Sequence, residues 1–181
     1  MTSTNEILNS FETAVERYVA ELNLLSMDEL LEKENEEEWS IGQMYMHLIQ
    51  SALFMQLRNI DHCLTNNEHT VHSDEVKTEL GSQVFEAEQF PPVRVKVPAS
   101  PQYTPLQPES KEQLAQGLQQ VVDRMRSTAT VLALEEAATG SKVLHPRLGA
   151  LNAQEWFHLI EMHYKHHFLQ LDRLKMNLVS D

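Results

Sequence analysis

A single cysteine, Cys63, in a chain of 181 residues excludes an intrachain disulfide, and it excludes the paired-cysteine spacing of a zinc ribbon or finger. No run approaches the roughly 18 apolar residues that a bilayer span needs, and the N-terminal Met1 to Glu6 lacks a basic stretch leading into an apolar one. Basic residues are scarce as well: 14 Lys and Arg stand against 27 Asp and Glu, a formal charge of −13. Such a chain repels phosphate backbones, so nucleic acid is not an expected partner. The densest acidic run, Glu34 and Glu36 to Glu38, reads as a solvated surface. Together these absences predict a cytoplasmic protein with neither a membrane nor a nucleic-acid partner.

What remains is helical. The length suits one domain spanning residues 1–181, large enough to bury a core without disulfides. Ile7, Phe11, Val15, Tyr18 and Leu22 recur at helical spacing and predict a first helix from about Thr4 to Asn23, with a short helix around Met27 to Lys33 behind it. Ser40-Ile41-Gly42-Gln43 has the form of a capping box, opening a second helix that runs to about Leu64. Ser110-Lys111-Glu112-Gln113 opens a third in the same way, with Leu114, Leu118, Val121, Val122 and Met125 on its apolar stripe and an end near Leu134 to Ala138. Asn152-Ala153-Gln154-Glu155 opens a fourth, continuous to about Leu178.

Six of the seven prolines lie between Pro91 and Pro108, so the connection over residues 66–109 cannot be one regular element. Ser73 to Gln89 is compatible with a helix inside it, and Val93 to Val97 with an extended stretch. No internal repeat marks a solenoid. The fold class is therefore all-α, a four-helix bundle with a long crossover connection between the second and third main helices.

The chemistry gathers in histidine. His163 and His167 are separated by about 40° around a helix and about 6 Å along it, which lets two imidazoles reach one ion. His47, in the second turn of the second helix, would complete a three-nitrogen site with open positions if the bundle brings it across. His158 lies about 140° from His163 and points elsewhere, while His166 could pair with His163 at i,i+3 but lies about 100° from His167, which makes it a second-choice ligand or an outer neighbour. Tyr164 follows His163, so the segment is not the His-Glu-x-x-His of a metalloprotease. Cys63, about 24 Å along the helix from His47, cannot share its ion and reads as a small semi-buried residue. His62, His69 and His72 read as exposed histidines at the end of the second helix.

Other polar and aromatic groups carry weaker signals. Gln43 and Gln170 stand one turn from His47 and His167, close enough to orient a ligand, but capping or plain surface polarity accounts for them more simply. Trp39 and Trp156 read as core anchors, and Tyr45 and Tyr164 have no sequence partner that would make either a general acid.

Trp39-Ser40-Ile41-Gly42-Gln43-Met44-Tyr45-Met46-His47-Leu48 resembles the second-helix motif of the DinB/YfiT-like superfamily. His145-Pro146-Arg147-Leu148-Gly149, Glu155-Trp156 and the segment from His163 to Gln170 resemble its later motif, in the same order and at matching separation. The resemblance implies a four-helix bundle with a long crossover, a homodimer, and a divalent metal, nickel or zinc most often, held by His47, His163 and His167. Some members are thiol S-transferases that use bacillithiol or mycothiol. The expected activity is thus transfer of a low-molecular-weight thiol to an electrophile. Metal-dependent hydrolysis and non-catalytic metal or small-molecule binding are the alternatives, since a fold does not determine a substrate.

Overall fold

The computed structural model describes residues 2–71, 74–93, 104–134 and 140–178. Helix α1 spans Thr4–Leu24 and α2 spans Met27–Leu31, each opened by a serine capping box, Ser3 with Glu6 and Ser26 with Glu29. The box at Ser40 and Gln43 forms as expected and starts α3, Ile41–Ser51. A π-helical turn over Ala52–Gln56 joins α3 to α4, Leu57–Thr65, which ends where Asn66 enters the left-handed region. Helix α5 is Glu79–Ala87, inside the connection, and α6 is Lys111–Leu134. The extended stretch expected at Val93 to Val97, and any continuation of α6 past Leu134, fall outside the described residues apart from Val93.

A hairpin absent from the sequence-based reading precedes the last helical segment. Its strands are β1, Lys142–His145, and β2, Gly149–Asn152, paired antiparallel with Lys142 opposite Asn152 and His145 opposite Gly149. Gly149 turns with φ 83°, a region that only glycine enters freely. The hairpin holds the near part of the crossover: Val71 N–H donates to Lys142 O at 2.8 Å and Thr78 N–H to Leu148 O at 2.9 Å.

The fourth predicted helix is broken in two. Helix α7 covers Ala153–His166 and α8 covers Phe168–Leu178, with His167 at the joint, its ψ relaxed to −8°. The joint still closes one α-type bond, His167 N–H to His163 O at 3.2 Å, so the i,i+4 relation of the two histidines survives.

The fold is an all-α helical bundle. Helix α1 packs on α6 and α7, α3 on α6, and α4 on α7. Phe11, Tyr18, Met44, Tyr45, Leu48, Leu118, Val121, Met125, Trp156 and Ile160 fill the space between them. Tyr18 stands at the centre: its ring lies edge-on to Tyr45 and Tyr164, its hydroxyl donates to Tyr164 O, and its own carbonyl accepts from the Tyr45 hydroxyl, both at 2.7 Å. This aromatic knot ties α1, α3 and α7 together. The far end of the crossover is pinned beside α3, where Gln43 Nε2 donates to Pro105 O at 2.7 Å and Gln107 Nε2 to Leu31 O at 3.0 Å. Among the described residues no helix is long and apolar enough to cross a membrane.

Candidate metal centre

Helix α3 delivers His47 and the α7 terminus delivers His163 and His167, from positions 116 residues apart. The Nε2 atoms of His47 and His167 each lie 3.1 Å from Nε2 of His163. Two ligands on one ion at about 2.0–2.1 Å stand about 2.9 Å apart at a right angle and about 3.4 Å apart at the tetrahedral angle, so the observed spacing falls between these two geometries. The potential ligand atoms of all three residues lie within 4.8 Å of one another, and each side chain keeps some exposure to solvent. The three imidazoles therefore converge, on residues that are only partly buried.

The protonation states fit a cation. Burial pushes the His47 imidazole down to about 4 and His167 to about 3, and it holds His163 well below its ordinary range, with the neighbouring histidines adding to the effect. All three rings are neutral near pH 7, the form in which imidazole binds metal. His167 Nδ1 donates to Oε1 of Gln170 at 2.8 Å, which places a lone pair on its Nε2, toward His163. His163 Nε2 lies against the Nε2 atoms of both other rings, and a single N–H there serves only one of them. A shared cation would give all three Nε2 lone pairs a partner at once.

The remaining histidines are arranged elsewhere. His158 faces Phe85 and Glu161, as its helical angle predicts. His166 sits beside His167 with its ring against Phe90, an outer neighbour. His62 and His69 pack ring to ring at 4.3 Å in a separate surface hollow of about 390 Å³, without a third ligand among the described residues, and His72 lies outside those residues. Cys63 is buried on α4, its thiol pushed up to about 12 by burial.

Two polar or aromatic readings need correction. Gln170 is not plain surface polarity, because its carbonyl holds His167. Trp39 is not a buried anchor: it is half-buried with its ring 5.1 Å from that of His47, forming a wall of the site, whereas Trp156 is fully buried as expected. Gln43 keeps its capping role, and the hydroxyls of Tyr45 and Tyr164 are buried in the aromatic knot. Sequence reasoning missed Gln56, which is 2% exposed and presents its carboxamide to His163 Nδ1 at 3.5 Å.

The sequence matches the DinB superfamily over residues 10–171. The chain belongs to the DinB superfamily. No curated protein matches it. Membership agrees with a metal-dependent, enzyme-like fold, and in this DinB-superfamily protein the triad of His47, His163 and His167 could hold a metal ion.

Proposed function

We propose that this DinB-superfamily protein is a divalent-metal-dependent transferase that joins a low-molecular-weight thiol of the bacillithiol type to an electrophilic substrate, with His47, His163 and His167 as ligands to nickel or zinc. The observation that carries this reading is the convergence of three neutral imidazoles, with the Nε2 atoms of His47 and His167 each 3.1 Å from that of His163, on residues that are only partly buried. Bound there, the ion would lower the pKa of an incoming thiol and favour its thiolate, since three neutral ligands leave the ionic charge uncompensated.

The chain's own residues do the positioning. Gln170 fixes the His167 ring and directs its Nε2 inward. Trp39 covers one side of His47 and provides an apolar surface for the electrophile. None of the three imidazoles is free to shuttle protons once it is a ligand, and the buried tyrosine hydroxyls are out of play. The thiol proton therefore leaves to solvent, the sulfur forms the bond to the electrophilic carbon, and the leaving group departs with its electron pair. The transferase reading rests further on the family resemblance, which includes thiol S-transferases.

The test begins with elemental analysis of protein purified without a metal-affinity tag, followed by turnover of bacillithiol, mycothiol, glutathione and cysteine with one activated aryl halide. Thioether formation that chelation abolishes and one divalent ion restores is the expected result. Tight thiol binding without product across the panel would replace the enzyme with a sequestering protein, and release of a hydrolysed product without thiol would replace it with a hydrolase.

A further inference from the structure

The π-helical turn between α3 and α4 changes which side chains face the centre. Leu57 N–H bonds the carbonyl of Ala52, five residues back, so one extra residue is taken up in this turn. In an uninterrupted α-helix Gln56, nine residues after His47, would point about 180° away from it. One inserted residue removes about 100° of rotation and leaves Gln56 about 80° from His47, facing α7. Phe54 and Met55 are correspondingly turned outward, 69% and 38% exposed, while Gln56 is 2% exposed.

Once inside, the Gln56 carboxamide is incompletely used. Its Nε2 lies 3.5 Å from His163 Nδ1, a long contact, and its Oε1 is buried without a hydrogen-bond partner. His163 Nε2 is the atom shared with both other histidines, so if it faces a cation the ring proton must reside on Nδ1. That N–H needs an acceptor, and the carboxamide beside it carries an unsatisfied oxygen. Turning the amide by 180° about its terminal bond places Oε1 on Nδ1–H, reproducing at His163 the bond that Gln170 already makes to His167. We propose that Gln56 is the positioning residue for His163, its Oε1 accepting the Nδ1 proton in the metal-bound state, and that the π turn at Ala52–Gln56 is the device that delivers it.

This inference rests on the metal reading above, and the experiment separates the two. Zinc is titrated into metal-free wild type, Gln56→Met and Gln56→Glu, cobalt spectra are recorded for each, and ¹⁵N NMR of the zinc-loaded proteins follows the His163 ring proton. Gln56→Met is expected to bind zinc about 10–100-fold more weakly, because an outer hydrogen bond to a ligand has that effect, with a shifted cobalt spectrum. Its metal-free melting temperature should be unchanged or higher, since an unpartnered buried oxygen is removed. Gln56→Glu, which keeps an acceptor, should retain wild-type affinity, and the exchange-protected Nδ1–H signal should appear in wild type and Gln56→Glu but not in Gln56→Met. Wild-type affinity and an unchanged cobalt spectrum in Gln56→Met would overturn the assignment while leaving the centre intact, as would equal losses in both variants. Should Gln56→Met not fold, the wild-type spectrum decides: an unprotected His163 Nδ1 proton, or a proton on Nε2, overturns it. Failure of wild type to bind any ion removes both readings.

Discussion

Gln170 Oε1 accepts the Nδ1 proton of His167 across 2.8 Å, and this bond sets which nitrogen of His167 is free to face His47 and His163. His167 is the joint between α7 and α8, and Gln170 lies in the first turn of α8. The break in the helix and the orientation of the ring are thus parts of one local arrangement. Gln170→Met should weaken zinc binding by about 10-fold or more without loss of helicity, as measured by competition with a chelating dye.

Each ligand substitution should act more severely. His47→Ala, His163→Ala and His167→Ala are expected to lower zinc or nickel affinity by more than about 100-fold, with far-UV circular dichroism nearly unchanged because the core is built from other residues. Full metal occupancy in all three variants would refute the centre.

A pH dependence follows from His145. Its Nδ1 accepts from the backbone N–H groups of Arg147 and Leu148, both at 3.1 Å, and burial, aided by the Arg147 charge, pushes its pKa down to about 4. The unfolded imidazole, near 6.5, takes up its proton first as pH falls. The stabilisation is therefore complete above about 6.5 and is lost between there and about 4. Asparagine in this position can cap the same N–H groups and does not titrate. Urea unfolding of His145→Asn should show a shallower loss of stability over this window than wild type, and parallel curves would contradict the assignment.

Cys63 should be chemically silent in the native chain. With its thiol buried and pushed up to about 12, it has almost no thiolate at pH 8 and should react with iodoacetamide only after unfolding. Cys63→Ser should leave metal content unchanged. Rapid native alkylation would show that α4 opens.

Gly149 should tolerate no side chain. At φ 83° an added Cβ would lie 2.6 Å from Thr78 N and 2.7 Å from Val76 O, backbone atoms of the segment that the hairpin holds. Gly149→Ala is expected to cost about 1–3 kcal/mol in urea unfolding, with one ion per folded chain still bound.

The local code of this chain is largely one of helices. Ser40 with Gln43 and Asn152 with Glu155 mark helix starts through bonds made within four residues, and the stripes of α1 and α6 follow from a 3.6-residue period, so both are legible without knowing the fold. The pairing of His163 with His167 is legible for the same reason. The hairpin at 142–152 was not, because two four-residue strands acquire their stability from each other and from the 71–78 segment, not from composition. Gln56 carried no signal at all, since regular helical geometry assigns it to the wrong face and the π turn that corrects this has no sequence rule. Gln170 was visible one turn from His167, but spacing alone does not say whether a carboxamide faces a ring or water.

The sequence by itself determined the helical class, the i,i+4 histidine pair, the lack of any disulfide within the chain and the strongly acidic charge, because each depends on composition or on contacts within one turn. Tertiary structure alone decided that His47 meets that pair across 116 residues, that Gln170 and Gln56 reach the outer nitrogens of His167 and His163, and that Trp39 walls the site. The physical reason is that convergence of side chains depends on how helices are rotated and seated against one another. That rotation is set by the packed core and by one inserted residue in a turn, neither of which any single segment contains.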